Sequence, residues 1–381
     1  MSNMNKKKNT PRNKAGNTVA EFTALAGEAL PPALRQRKKR LFAQRVQQVD
    51  VTAGMSAADL VDAMAGMSIQ ARNLGTCAHV LGRMVADKRR PTILLGLAGP
   101  MIAAGLRKVI RDLIVGGYVD VVVSTGAIMY QDIYQARGHG HYRGDVNADD
   151  TVLRDLRIDR IYDTFVDEEK FIETDIWCGQ VADELGDGAF SSRAYLDHLG
   201  GKLTDEGSIV RQCHKLGVPI FCPAINDSSI GIGLTDHRHR ALRAGRQGLI
   251  IDSIRDNYEL TQIVVKSPRT AAIYVAGGVP KNYINDSVVM GYIFGLDRGH
   301  DYAIQITTAV TADGGLSSST LGEAQSWGKI KKEATFAMAW VEPSVSLPLL
   351  AAYVFDRHRP PCRERLAFEW DGQILKRITR R

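Results

Sequence analysis

The residues best suited to chemistry lie in LGEAQSWGKIKKEA, positions 321 to 334. Lys329 offers a primary amine, Trp327 an aromatic face, and Glu323 a carboxylate six residues before the lysine. A lysine attacks a carbonyl or imine carbon only as the neutral amine, and burial against an aromatic ring favours that form by desolvation. Glu323 could hold a substrate ammonium while the indole face takes a cationic chain. The same residues also fit a surface lysine in the basic run KIKKEA with Trp327 in the core. A phosphate-binding loop is the other reading of Gly-Lys, and it fails on spacing. Five residues separate Gly322 from Gly328, and Ile330 stands where a magnesium-binding hydroxyl is needed.

Other chemistry is excluded more briefly. Two His-x-His pairs, His139/His141 and His237/His239, invite a metal, but arginines rather than carboxylates flank them. No GxSxG elbow or HExxH helix is present. The five cysteines, Cys77, Cys178, Cys213, Cys222 and Cys362, form no CxxC pair, so neither a disulfide framework nor a cysteine zinc site is indicated. No metal is expected. No window reaches the apolar length of a membrane helix, and the N-terminus lacks a signal-peptide core, so a cytoplasmic protein without a membrane partner is expected. The net charge of +7 resides in the ends: residues 1–45 carry eleven Lys/Arg against two Glu, and residues 357–381 carry eight against three acids. The body between them is therefore acidic and suits a polycation. The basic ends lack aromatic interleaving, and no nucleic-acid partner is expected.

The candidate lysine needs elements to position it. PTILLGLAG is an apolar strand run, then a glycine turn and the helical PMIAAGLRKVIRDLIVGG. VDVVVSTGA repeats the rhythm, as do VPIFCPAIND, GLIIDSIRD, AAIYVAGGVP, DYAIQITTAV and ATFAMAWVEP. Strands this apolar, alternating with helices, predict an α/β fold with a mainly parallel, doubly wound sheet covered on both faces. Ligands in such folds meet the carboxyl ends of strands, which selects residues 96–99, 124–127, 226–229, 277–281 and 307–315. Each glycine turn alone is ordinary strand-to-helix punctuation. Five on one edge, with Asp227 and Asp313 among them, form a candidate ligand-binding edge.

EAQSWGKI resembles the active-site segment of deoxyhypusine synthases. QARNLG, TILLGLAGPMIAAGLRKVI, VDVVVSTGA, LRDLRIDRIYDTFV, GVPIFCPAIND, GGVPKNYI and DYAIQITTAVTADGG follow in that family's order, over about residues 55–355. The resemblance implies a Rossmann-like domain over 51–356, between a basic N-terminal arm, 1–50, and a basic C-terminal tail, 357–381. It also implies a homotetramer with sites between subunits, and NAD as cofactor. The implied activity is transfer of an aminobutyl group from spermidine through an imine on the active-site lysine, here Lys329. In the family proper the acceptor is a lysine of the initiation factor 5A precursor. The Asn282-x-x-x-Asp286 pattern resembles homospermidine synthases, whose acceptor is putrescine, and a paralogue that binds NAD or polyamine without turnover is the third possibility.

Carried over by position, the NAD contacts are Gly99, Pro100, Met101, Ile102, Ala103, Thr125, Gly126, Asp227, Thr308, Ala309 and Glu342. The substrate contacts are Gly277, Asn282, Asp313, Gly314, Glu323 and Trp327. The chain departs from the family at four acids, replaced by Tyr130, Gln131, Ile232 and Leu316, and at a histidine replaced by Asn282. Each lost carboxylate removes a partner for a substrate ammonium, worth about 1.5–3 kcal/mol as a charged hydrogen bond. Asp132 and Asp236 are the nearby acids expected to compensate.

Overall fold

The computed structural model describes residues 30–381. The chain divides into two units, residues 1–47 and 48–381. In the first, the described part holds one helix, Pro32–Leu41, which begins with proline and has Lys38, Lys39 and Arg40 in its last turn. Both features suit a helix, since proline is tolerated where no N–H partner exists and cations meet the negative end of the dipole. None of its residues is buried.

The second unit is built on a six-stranded sheet, paired parallel throughout. Its strands are β1 (Thr92–Leu97), β2 (Val121–Ser124), β3 (Ile220–Phe221), β4 (Thr270–Val275), β5 (His300–Ile306) and β6 (Ile330–Ala339). In space the order is β6-β5-β4-β1-β2-β3, so the winding reverses between β1 and β4. Alternate residues point to opposite faces. Ile93, Leu95 and Leu97 accordingly join one core cluster with Ile273 and Val275, while Leu94 joins a second with Ala272 and Tyr274. Both faces are covered, which is why β1 and β4 read as unbroken apolar runs.

Six helices matter for the site: α1 (Gly126–Ala136), α2 (Glu168–Leu185), α3 (Ser229–Arg243), α4 (Val279–Ile293), α5 (Leu321–Ser326) and α6 (Pro343–Arg357). Helix α2 starts where Asp167 accepts from the N–H groups of Glu169 and Lys170, with two further acids in its first turn. One expectation is corrected: the strand in GLIIDSIRD, Leu249–Ile251, does not join the main sheet but pairs with Gly188–Phe190 as a separate two-stranded sheet. Three residues are too few to carry a pattern that reveals their partner.

Within the basic C-terminal stretch, Leu366–Asp371 and Ile374–Arg380 form an antiparallel hairpin that buries Leu375 completely. Its approach is fixed by Asp120, which accepts two hydrogen bonds from Arg90 (2.8 and 2.7 Å) and one from Arg363 (2.7 Å). Among the described residues no helix is long and apolar enough to cross a membrane.

Candidate active site

Lys329 directly precedes β6, and its carbonyl accepts from the N–H of His300, the first residue of β5. The lysine therefore enters from the amino end of the sheet. Gly328 makes the turn with φ +69°, and a Cβ there would come within 2.2 Å of the Tyr292 hydroxyl, so only glycine fits. The Lys329 Nζ lies 3.1 Å from Asp286 Oδ1 on α4 and 5.3 Å from the centre of the Trp327 ring. Asp286 also accepts from Asn282 Nδ2 at 2.8 Å, one helical turn back.

This differs from a lysine desolvated by a buried indole. Trp327 is 64% exposed, because it caps a six-residue helix whose last buried position is Ala324. Its ring is a rim, and a carboxylate is the amine's direct neighbour.

A cavity of about 160 Å³ brings Asn282, Glu323, Trp327 and Lys329 together. It also contains Lys281, at the end of the 277–281 strand-end turn, and Asn285 and Ser319, which no sequence pattern singled out, with Leu316 on its wall. Lys281 is 2% exposed. Its ammonium donates to the carbonyls of Ser319 and Leu316 and to the Ser319 hydroxyl. Burial pushes it down to about 8, the charge of Lys329 acts the same way, and Glu323 opposes both. The signal for it was present in GGVPK, where a lysine follows a strand-end glycine turn at the same α4 face as Asn282, Asn285 and Asp286.

The remaining expected residues lie along the strand ends. Gly99 follows β1 with φ +82°. Met101 and Ile102 are core side chains, so only their main chain is available to a ligand, and the N–H of Ala103 already donates to Gln131 (3.1 Å). Thr125 opens α1 without a side-chain cap, and Gly278 opens α4 likewise. A Cβ on Gly126 would lie 2.2 Å from Ser228 Oγ, and one on Gly277 would lie 2.5 Å from the backbone of Ser317. Ser228 and Ser317 of the chain itself therefore require glycine at these two positions, while the uncapped helix starts at the carboxyl edge leave N–H groups suited to the pyrophosphate of a dinucleotide. Asp227 is exposed at the same edge. Thr308 is exposed after β5, while Ala309 donates to Thr307 Oγ1. Asp313 accepts from the N–H of Val310 and is followed by Gly314 at φ +65°. Glu342 caps α6 through the N–H groups of Ser344 and Val345. Pro100, Gly314 and Asp313 are not among the residues lining the lysine cavity.

The two acids expected to compensate do not. Asp132 is fully buried and accepts from Arg107 (2.7 Å), Ser208 (2.6 Å) and the N–H groups of Ile209 and Val210. Asp236 pairs with Arg240 at 2.8 Å. Of the histidines, His237 has Nδ1 at 2.8 Å from Asp183 while its Nε2 accepts from the N–H of Leu249, a structural arrangement that occupies both nitrogens. Among the described residues no group of three or more His, Cys, Asp or Glu is placed to hold a metal.

Known proteins resemble the chain in sequence and in fold. The family model for deoxyhypusine synthase matches residues 59–354. A Methanosarcina mazei protein described as "probable deoxyhypusine synthase 2" is 41% identical over 322 residues, covering 83% of this chain and 92% of its own. A Coxiella burnetii protein described as "deoxyhypusine synthase-like protein" is 41% identical over 328 residues, covering 84% and 91%. In fold, a solved Entamoeba histolytica structure described as a candidate deoxyhypusine synthase superposes with a TM-score of 0.57 at 20% identity, over 82% of this chain and 97% of that one. With a six-stranded sheet wound about β1 and β4, a lysine slot beside α4, and a family match spanning most of the sequence, the chain belongs to the deoxyhypusine synthase family.

Proposed function

We propose that this protein is an NAD-dependent transferase that moves an aminobutyl group from spermidine, or a related polyamine, to an acceptor amine by way of an imine on Lys329. The observation that carries this reading is Lys329, which lines a cavity with Glu323 and an exposed indole rim and has the Asp286 carboxylate 3.1 Å from its amine. NAD, held by the Gly99–Ala103 turn, Thr125, Gly126, Asp227 and the loop after β5, would take a hydride from the donor amine, opening its carbon to attack as an imine, and would return that hydride to the C=N bond of the product.

The chain's own residues do the rest. Asp286 takes the proton that Lys329 must lose, the freed amine adds to the imine carbon of the oxidised donor, and diaminopropane leaves with a proton as the C=N bond to Lys329 forms. Asn282 keeps the Asp286 carboxylate turned to the lysine. Glu323 and the Trp327 face hold the distal ammonium of the aminobutyl chain. The acceptor amine then displaces Lys329 by the same exchange. Lys281 does not compete as nucleophile, since its three hydrogens already face three acceptors. As in the family at large, the reading includes a homotetramer with sites between subunits.

The acceptor is a protein lysine or a small diamine. The Asn282–Asp286 hydrogen bond inside the site favours the second, a homospermidine-forming transfer to putrescine. Mass spectrometry of products from NAD, labelled spermidine and a panel including putrescine and the initiation factor 5A precursor decides it. Labelled homospermidine supports the small acceptor, and a labelled protein lysine supports the protein acceptor. Binding of NAD and spermidine with no label transferred makes the chain a non-catalytic paralogue.

A further inference from the structure

Asn285 lines the lysine cavity one turn after Lys281 on α4, and its side chain is fixed from behind. The residue is buried, and its Oδ1 accepts from the hydroxyl of Tyr274 on β4 at 2.7 Å. Tyr274 is completely buried, and among the described residues its hydroxyl hydrogen has no other acceptor. The carboxamide therefore cannot turn over without stranding a buried donor. Its Nδ2 hydrogens are left for the cavity, and among the described residues none accepts them.

The wall around Asn285 carries no carboxylate. Beside it stand the apolar Leu316 and the ammonium of Lys281, which is occupied by the carbonyls of Ser319 and Leu316 and the Ser319 hydroxyl. Among the described residues Glu323 is the one acid that lines the cavity. Asp286, outside that lining, is taken by Lys329 and Asn282.

An ammonium has three donors and no acceptor. Placed against Asn285 it would meet N–H groups head-on, with the Lys281 charge beside them and no anion to offset its burial. A group with a lone pair and no charge, a free-base amine or a hydroxyl, accepts from Nδ2 instead.

We propose that Asn285 is a specificity-determining residue, which makes its end of the lysine cavity take an uncharged hydrogen-bond acceptor while Glu323 holds the ligand's one ammonium. In turnover that group is the incoming amine in its free-base form, which carries the lone pair that attack on an imine carbon requires. The role in turnover rests on the transfer reading above, but the binding preference does not.

The test uses two probes of matched length, putrescine and 4-amino-1-butanol, titrated calorimetrically into the full wild-type chain at neutral pH without NAD, so that no chemistry intervenes. The diamine brings two ammoniums, the aminoalcohol one ammonium and one neutral acceptor. 4-Amino-1-butanol should bind tighter by about tenfold or more. Asn285→Asp keeps an acceptor oxygen for Tyr274 and replaces the donor by a carboxylate, so it should reverse the order by tightening putrescine. Should that variant fail to fold, the order in the wild type decides. No binding of 4-amino-1-butanol, putrescine binding as tightly or more tightly in the wild type, or an order unmoved in folded Asn285→Asp overturns the proposal. If the order holds but the wild type with NAD and labelled spermidine transfers no label, the preference stands and the transfer reading falls. If label is transferred while putrescine is the tighter probe, the preference falls and the transfer reading stands.

Discussion

Replacing Asp286 by asparagine separates what the Lys329 pair does for folding from what it does for chemistry. The carboxylate is 42% exposed and the lysine side chain 15%, so water screens their attraction despite the 3.1 Å separation. A pair so placed contributes about 1 kcal/mol or less to stability, and the thermal midpoint of Asp286→Asn should move by only a few degrees or less. An amide keeps an acceptor oxygen for Asn282 but cannot take a proton from Lys329. Loss of a positioned proton acceptor typically costs about 10²–10⁴ in rate. Aminobutyl transfer measured in single turnover should therefore fall by about a hundredfold or more, while Asp286→Glu recovers part of it. Transfer within about threefold of wild type in Asp286→Asn would refute the role given to this carboxylate.

Asp120→Ala should destabilise the protein by about 3–5 kcal/mol, because it strands Arg90 and Arg363 in a buried site, and limited proteolysis should then cut first at the C-terminal hairpin. Asp256 is buried, and desolvation lifts it to about 7, above the ordinary carboxylate value of 3.8, so the folded state keeps a proton that the unfolded chain releases. Its contribution is present at low pH and is lost as pH rises from about 4 through 7, so Asp256→Asn should raise the thermal midpoint at pH 8 more than at pH 5. An equal shift at both pH values would contradict this. Asp227→Ala should weaken NAD binding by about tenfold in calorimetry, and undiminished affinity would assign Asp227 no part in the cofactor site.

Much of this architecture was legible because the strands of the sheet are covered on both faces. TILLGL, VVVS, TAAIYV and HDYAIQI are nearly uninterrupted apolar runs ending in glycine or hydroxyl turns, and their carboxyl edge follows from the parallel arrangement. Segments without that periodicity were opaque. Gly188–Phe190 and Leu249–Ile251 are too short to announce a separate pairing.

Within the site, local spacing located Lys329, Trp327 and Glu323, and the i, i+4 step from Asn282 to Asp286 was visible, but not that the lysine points at Asp286. That depends on β6 beginning beside His300, a register no local motif encodes. Proximity in sequence also misled. Asp132 stands six residues after Gly126, yet it is the buried anchor of Arg107 and of the N–H groups of Ile209 and Val210. Asp175, whose Oδ1 is buried without a hydrogen-bond partner, sits in the middle of α2, where an isolated acid gives no signal of its own.

The central claim is that Lys329 carries the transferred group, and covalent capture tests it most directly. Borohydride added during turnover with NAD and labelled spermidine should fix the aminobutyl group on the Lys329 side chain, located by peptide mass spectrometry. Lys329→Arg should abolish both capture and transfer, because a guanidinium stays protonated and cannot attack. Label on Lys281, Lys331 or Lys332, or transfer that persists in Lys329→Arg, would contradict the account.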